Sequence, residues 1–364
     1  MDPLASFCPN PNCAARGQTG KGNISVLSQK EKRYQCSVCG QTFVTRKGTP
    51  LYRCHTQEEE VVRVVILVQH GCPLSAIEAA FGFQKRTVRR WVAKVGVHCE
   101  AIHHHLVVTP RDLVQVQADE IRVKLQKCIL WIAMAIALPT RLWLGAVLSP
   151  TRDTGLVRAL FALVHLCALP LPLLVVVDGF RAYITVIQTT FRQAVKVHRF
   201  GRPRLLVWAE LVIGQVVKHQ QKRCLLEVGR HLVKGTEEQM EYLIATSQGA
   251  GVLNTAFIER LNATFRACLF SLVRRTRSLA RQPASVHAGL YLVGTLYNFC
   301  RFHESLTTQE GTLRTPAMAA GITDHCWSVD ELLCYRVPPE RWQPSKRRGR
   351  KSKTLQTLIE KWAA

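Results

Sequence analysis

Apolar and polar positions alternate in several distinct rhythms along the 364 residues, and each rhythm predicts an element. Residues 114–121, 128–137 and 143–148 read as strands, and 153–168 reads as a helix with Leu156, Leu160, Leu163 and Leu166/Cys167 on one stripe. Residues 173–177 form a wholly apolar strand that ends at Asp178, and 181–194 reads as a helix. Strands alternating with helices indicate a mixed α/β sheet. Residues 205–226 hold strand-like runs interrupted by Lys and Gln, and 254–298 is mainly helical. Ahead of this core, 57–96 reads as short helices and 97–111 as a connector. The first fifty residues are rich in Gly, Lys, Asn and Cys and hold no apolar stretch able to form a core. No internal repeat is present.

Two apolar stretches fall short of membrane spans. Residues 128–138 are too few and are closed by Pro139 and Arg141, and 159–177 contains His165, Pro170 and Pro172. A helix followed by a buried strand fits the second better, so no membrane partner is expected. A 47% hydrophobic content excludes a fully disordered chain. Lys and Arg number 49 against 25 Asp and Glu, a formal charge of +24, which calls for a polyanionic partner, most commonly nucleic acid. Residues 1–7 lack a basic segment followed by an apolar run, so no secretory leader is expected. The 14 cysteines are scattered mostly through apolar stretches, as in a reduced, cytoplasmic protein.

Four cysteines stand apart. Four residues separate Cys8 from Cys13, two separate Cys36 from Cys39, and 22 lie between the pairs. Neighbouring Gly, Pro and Asn suit tight knuckles that aim two thiolates at one ion, and four sulfurs make a closed, structural Zn²⁺ site. A segment this poor in apolar residues needs such a staple to fold. The alternative is two unrelated thiol pairs. Cys128, Cys167 and Cys268 read as core filler.

Residues 74–81 form a short amphipathic helix, Gly82-Phe83-Gln84 a turn, and 85–95 a second helix with Val88, Trp91, Val92 and Val95 inward. Its other face carries Lys85, Arg86, Arg89, Arg90 and Lys94. A short helix, a Gly-containing turn and a basic second helix describe a helix-turn-helix, with 61–69 as the supporting helix. An ordinary helical hairpin with a solvated charged face is the plainer alternative.

Acidic residues are scarce, so those at strand ends carry weight. Asp119 falls at the end of the run Val114-Gln-Val-Gln-Ala-Asp, and Asp178 directly follows another predicted strand. On neighbouring strands the two carboxylates would project from one sheet edge and repel unless a divalent cation neutralised them. Glu259 lies on a helix whose buried stripe is Ile258, Leu261, Phe265, Cys268 and Leu272, with Asn262 and Arg266 on its own face. It could reach the same metal site while Arg266 meets a phosphate. Two such cations about 4 Å apart activate a water or 3′-hydroxyl and stabilise the leaving oxygen. Each acid taken singly could instead be a salt-bridged surface carboxylate. Glu120 is a rival ligand, though strand alternation turns it to the opposite face, and Glu210 and Glu227 are rivals for the third position.

These segments together resemble the DDE-type bacterial insertion-sequence transposases, whose catalytic core is RNase H-like, as in retroviral integrases. The resemblance covers nearly the whole chain. Gln117-Ala-Asp119-Glu120 resembles the first Asp motif and Val175-Val-Val-Asp178-Gly179 the second. The run from Asn254 through Glu259 and Asn262 to Arg266 resembles the Glu motif, the most specific of the three. Arg274-Arg-Thr276-Arg277, and Tyr297-Asn298 with Arg301, His303 and Leu306, also look familial.

The resemblance implies a multidomain α/β protein: a zinc ribbon over 1–52, a helix-turn-helix over 56–100, an RNase H-like core over 108–306 with a helical C-terminal part, and a basic tail over 307–364. It implies that Asp119, Asp178 and Glu259 hold two Mg²⁺ or Mn²⁺ ions and catalyse end cleavage and strand transfer on double-stranded DNA. The substrates would be the element's terminal inverted repeats and a target DNA, brought together by a homo-oligomer, a dimer in the synaptic complex, at the nucleoid. Asn262, Arg266, Thr276, Arg277 and Arg301 are candidate DNA contacts, and His303 is a candidate fourth active-site residue. The 80 residues between Asp178 and Glu259 exceed the integrase spacing, so an insertion is expected over 202–235. In the tail, Arg348 and Arg350 sit in a run resembling an AT-hook core without its usual Pro, so a nonspecific anchor is expected. The rival functions are a DNA-binding regulator with decayed chemistry and a metal-dependent nuclease.

Overall fold

Every strand expected between residues 114 and 178 forms, and together they build the sheet that carries the acidic residues. The computed structural model describes residues 2–196, 202–221, 224–249, 251–273, 279–344 and 351–363, which divide into two compact units. One comprises residues 1–57 with 333–364, and the other residues 58–332.

The smaller unit holds a three-stranded antiparallel sheet, β1 (Ile24–Ser28), β2 (Arg33–Cys36) and β3 (Thr42–Val44). The larger unit opens with α1 (Glu58–Gln69), α2 (Leu74–Phe81) and α3 (Lys85–Leu106). Gly82 ends α2 at φ 71°, a left-handed conformation that glycine takes without strain. The connector expected over 97–111 is mostly helix, because α3 runs on to Leu106. Its extension is held by tertiary packing: Gly96 abuts the backbone of Ala288, where any Cβ would collide, and Ile102 and His103 are fully buried.

The central sheet has the order β11-β10-β7-β4-β5-β6. It comprises β4 (Gln115–Lys124), β5 (Ile129–Ala137), β6 (Leu142–Ser149), β7 (Leu173–Asp178), β10 (Leu211–Gln221) and β11 (Cys224–Lys234). β4, β5 and β6 form an antiparallel meander, whereas β7 runs parallel to both β4 and β10. The apolar run of β7 follows from its central place, buried on both faces. Between these strands lie α4 (Thr154–Cys167), α5 (Ala182–Thr190) and a separate ribbon of β8 (Arg192–Val195) with β9 (Arg204–Val207). The stretch expected as an insertion over 202–235 is therefore largely integral. Its strand-like runs pair into the main sheet, β10 beside β7 and β11 along β10.

After α6 (Glu237–Gln248) come α7 (Ala256–Cys268) and the long apolar α8 (Pro283–Cys300). α8 packs beside the edge strand β6, where the Trp143 ring lies against Gly294 and leaves no room for a side chain. The Asn298 amide accepts from the Trp143 backbone N–H and donates to its carbonyl, both at 2.9 Å, substituting for a further strand. The chain then continues through α9 (Pro316–Ala319) and α10 (Val329–Cys334).

The expected tail over 307–364 has more structure than its basic composition suggests. Its final helix α11 (Lys353–Trp362) completes the core of the smaller unit. Trp362 is buried with Ile24, Tyr34, Phe43, Cys8, Cys13 and Cys36, with Cys39 half-buried against them, and its carbonyl accepts from Gln18 at 2.7 Å. Arg336 stacks 4.4 Å from the Phe7 ring. No described helix is long and apolar enough to cross a membrane.

Candidate active site and metal centres

Strand register brings the two aspartates together. Gln117 pairs with Val176 in the parallel β4–β7 ladder, so Asp119 and Asp178, each two residues further on, reach the same level. One carboxylate oxygen from each, with one from Glu120, falls within 4.8 Å of the other two. Burial raises the pKa of Asp119, helped by the charges of Asp178 and Glu259. Asp178 is fixed from its own loop, where Oδ1 accepts the Phe180 N–H at 2.9 Å.

Glu259 arrives on the first turn of α7, and a residue outside the expected set anchors that helix. The buried side chain of Gln117 donates to the Asn254 carbonyl at 2.6 Å and accepts the Ile258 N–H at 3.0 Å. It thereby satisfies a free donor at the helix start and seats α7 over β4. One turn on, Asn262 donates to Asp119 Oδ2 at 2.7 Å. Asn262 is 2% exposed, so it touches the carboxylate rather than standing out as a DNA contact. The Gln-x-Asp spacing signals this arrangement, since residues two apart share a strand face.

Asp119, Asp178 and Glu259 line one cavity of about 560 Å³, together with Arg152, Lys218 and Thr255. Glu259 stands outside the tight acidic cluster. Its carboxylate pairs with Lys218 and accepts from Thr255 at 2.6 Å. Burial pushes its pKa up, but these two partners outweigh burial and hold it below the usual range.

Glu120 lies behind, its side chain only 1% exposed. Arg152 reaches both Glu120 Oε2 and Asp178 Oδ2, each at 2.9 Å. The Tyr183 phenol stands beside Glu120, and burial with that charge raises its pKa well above normal. The other two rivals lie elsewhere: Glu210 faces Gln239, and Glu227 pairs across the β10–β11 hairpin.

The remaining candidates are dispersed. Arg86, Arg89, Arg90 and Lys94 lie exposed along α3, and Lys85 pairs with Glu78 at 2.9 Å. Phe83 in the turn packs edge-on against Trp91, with ring centroids 4.9 Å apart. Arg266 is half-buried. Arg301 spends its guanidinium on Cys268 and His70, at 3.4 and 3.3 Å. His303 bonds to Ser305 at 2.9 Å and lies outside the residues lining the cavity. Thr276, Arg277, Arg348 and Arg350 fall outside the described residues.

In the smaller unit, Cys8, Cys13, Cys36 and Cys39 converge, with sulfurs 3.6 Å apart for Cys8–Cys39 and 3.9 Å for Cys13–Cys36. A tetrahedron of Zn–S bonds has edges of about 3.8 Å, so the four thiols fit a closed zinc site. Two backbone turns shape the knuckles, Cys13 N–H to Asn10 and Gly40 N–H to Cys36. Burial pushes the Cys13 thiol up to about 12, which a bound cation would reverse.

Comparison with protein-family models finds no match. No curated protein matches the sequence either.

Proposed function

We propose that this protein is a DDE-type transposase, which binds the ends of its own element and joins their 3′-hydroxyls to target DNA. The observation that carries the reading is the meeting of Asp119, Asp178 and Glu259 around one cavity, from two parallel neighbouring strands and a helix. The sheet order, a meander followed by two parallel strands, supports an RNase H-like core. Hard divalent cations suit such oxygen donors and would supply Lewis acidity and an activated oxygen nucleophile. The chain's own residues prepare the place. Asn262 orients Asp119, Phe180 N–H orients Asp178, and Lys218 balances the charge of Glu259, a carboxylate that would help to hold a cation.

The reading assigns DNA recognition to a helix-turn-helix of α2 and α3, whose exposed Arg86, Arg89 and Arg90 face a groove and its phosphates. The smaller unit is a zinc ribbon held by its four cysteines. A homodimer would synapse two ends, and the working place is the bacterial nucleoid. Product analysis tests this against its rivals: purified protein, Mg²⁺ or Mn²⁺, DNA carrying the element's ends and a plasmid target. Joined product supports the transposase. Nicked product without joining makes it a nuclease, and end binding with no product makes it a regulator.

A further inference from the structure

Arg152 is the strongest feature of the cavity that the three carboxylates leave unexplained. It directly precedes α4, whose N-cap Asp153 accepts from Thr151 Oγ1 at 2.6 Å and from the Leu156 N–H at 2.9 Å. The backbone that launches the side chain is thus fixed. The guanidinium carbon lies 4.4 Å from the centre of the Phe180 ring and 5.6 Å from that of Trp131, so two aromatic rings help to hold it. One nitrogen, Nη2, serves both Glu120 and Asp178.

The two acids are not equivalent. Glu120 is sealed in at 1% side-chain exposure beside the Tyr183 phenol, whereas Asp178 opens to the cavity at 37%. A buried carboxylate is costly, and an apolar pair of equal volume commonly serves stability as well or better. Stability is therefore a poor reason for Glu120. Its position suits another purpose, holding an arginine in the wall of the acidic cavity. A guanidinium fork matches the oxygens of a phosphate.

We propose that Arg152 is a phosphate-binding residue of this site, aimed by Glu120, and that Asp178 occupies it until that carboxylate is neutralised. Glu120 is then a positioning residue and no metal ligand. The identity of the phosphate, a DNA phosphodiester beside the reacting oxygens, rests on the strand-transfer reading above. The binding itself does not.

The test uses the full-length protein without added Mg²⁺ or Mn²⁺ and inorganic phosphate as the probe, titrated calorimetrically. Asp178→Asn removes the competing charge and should bind phosphate about tenfold more tightly than the parent chain, as expected for one released charge-assisted contact. Adding Arg152→Gln should abolish that gain. Unchanged affinity in Asp178→Asn, or a gain that survives Arg152→Gln, overturns the proposal. Should the double variant fail to fold, Arg152→Lys replaces it: the gain should shrink, and its full retention counts against a guanidinium site. Strand transfer separates the two readings. A parent chain that joins no DNA removes the transposase reading and leaves the phosphate result standing. Normal joining by Arg152→Gln removes Arg152 from the chemistry.

Discussion

Asn262 donates a hydrogen bond to Asp119 across 143 residues of chain, at 2.7 Å, and so ties the helix carrying Glu259 to the strand carrying the first aspartate. The bond acts on a carboxylate whose pKa burial already raises, and it holds one oxygen in place for a ligand.

Asn262→Ala should lower strand transfer by about 10- to 100-fold, weaken Mn²⁺ binding and cost about 1.5–3 kcal/mol of stability, the range for a hydrogen bond to a charged group. Titrating Mn²⁺ by electron paramagnetic resonance alongside the rate separates positioning from folding. Unchanged metal affinity with a normal rate would mean that Asp119 needs no such support.

Trp362 is 3% exposed in the core of the cysteine-bearing unit, so the last helix should stabilise a site formed at the chain's other end. Trp362→Ala should cost about 3–5 kcal/mol and hasten zinc loss to a chelator. Zinc release as slow as in the parent chain would show that α11 contributes nothing to the four-cysteine site.

His103 supplies a pH test. It is fully buried, and burial holds its pKa near 3, well below its ordinary 6.5. The neutral ring donates from Nε2 to the Leu144 carbonyl at 3.0 Å. Between pH 6.5 and 3 the unfolded chain takes up a proton that the native ring refuses, so stability falls as pH falls through that window. From pH 6.5 to 5 the loss is about 2 kcal/mol. His103→Gln keeps a donor for Leu144 and should flatten the slope of thermal stability against pH. An unaltered slope would assign it to other groups.

Arg89→Ala with Arg90→Ala should weaken end binding and reduce the salt slope of log K by about 2, one for each phosphate no longer neutralised. Anisotropy of a labelled end duplex across a salt series measures it. Identical slopes would take α3 out of the interface.

The sheet and its acids were legible because β5 to β7 are apolar and sharply bounded and Asp178 closes β7, although Asp119 lies mid-strand in the more polar β4, which runs on to Lys124. The cysteine spacing was equally readable. What escaped was set by distant packing. α3 continues past residue 96 because Gly96 admits α8, a contact 192 residues away that no local rhythm announces. β10 was obscured because its Lys and Gln positions interrupt the apolar run expected of a central strand. Gln117 looked like an ordinary polar strand residue, and only the arrival of α7 gives its amide two partners. Trp362 closes an apolar stripe with Leu355, Leu358 and Ile359 that marks a helix, but nothing local shows that its partner is the core of the first fifty residues.

The central claim is that three carboxylates from three elements form one metal-dependent joining site. The most direct measurement is Mn²⁺-supported strand transfer by Asp119→Asn, Asp178→Asn and Glu259→Gln, with Glu210→Gln and Glu227→Gln as controls. The account predicts that the first three lose joining while still binding DNA ends, and that both controls join normally. Normal joining by Glu259→Gln, or its loss in Glu210→Gln or Glu227→Gln, would contradict it.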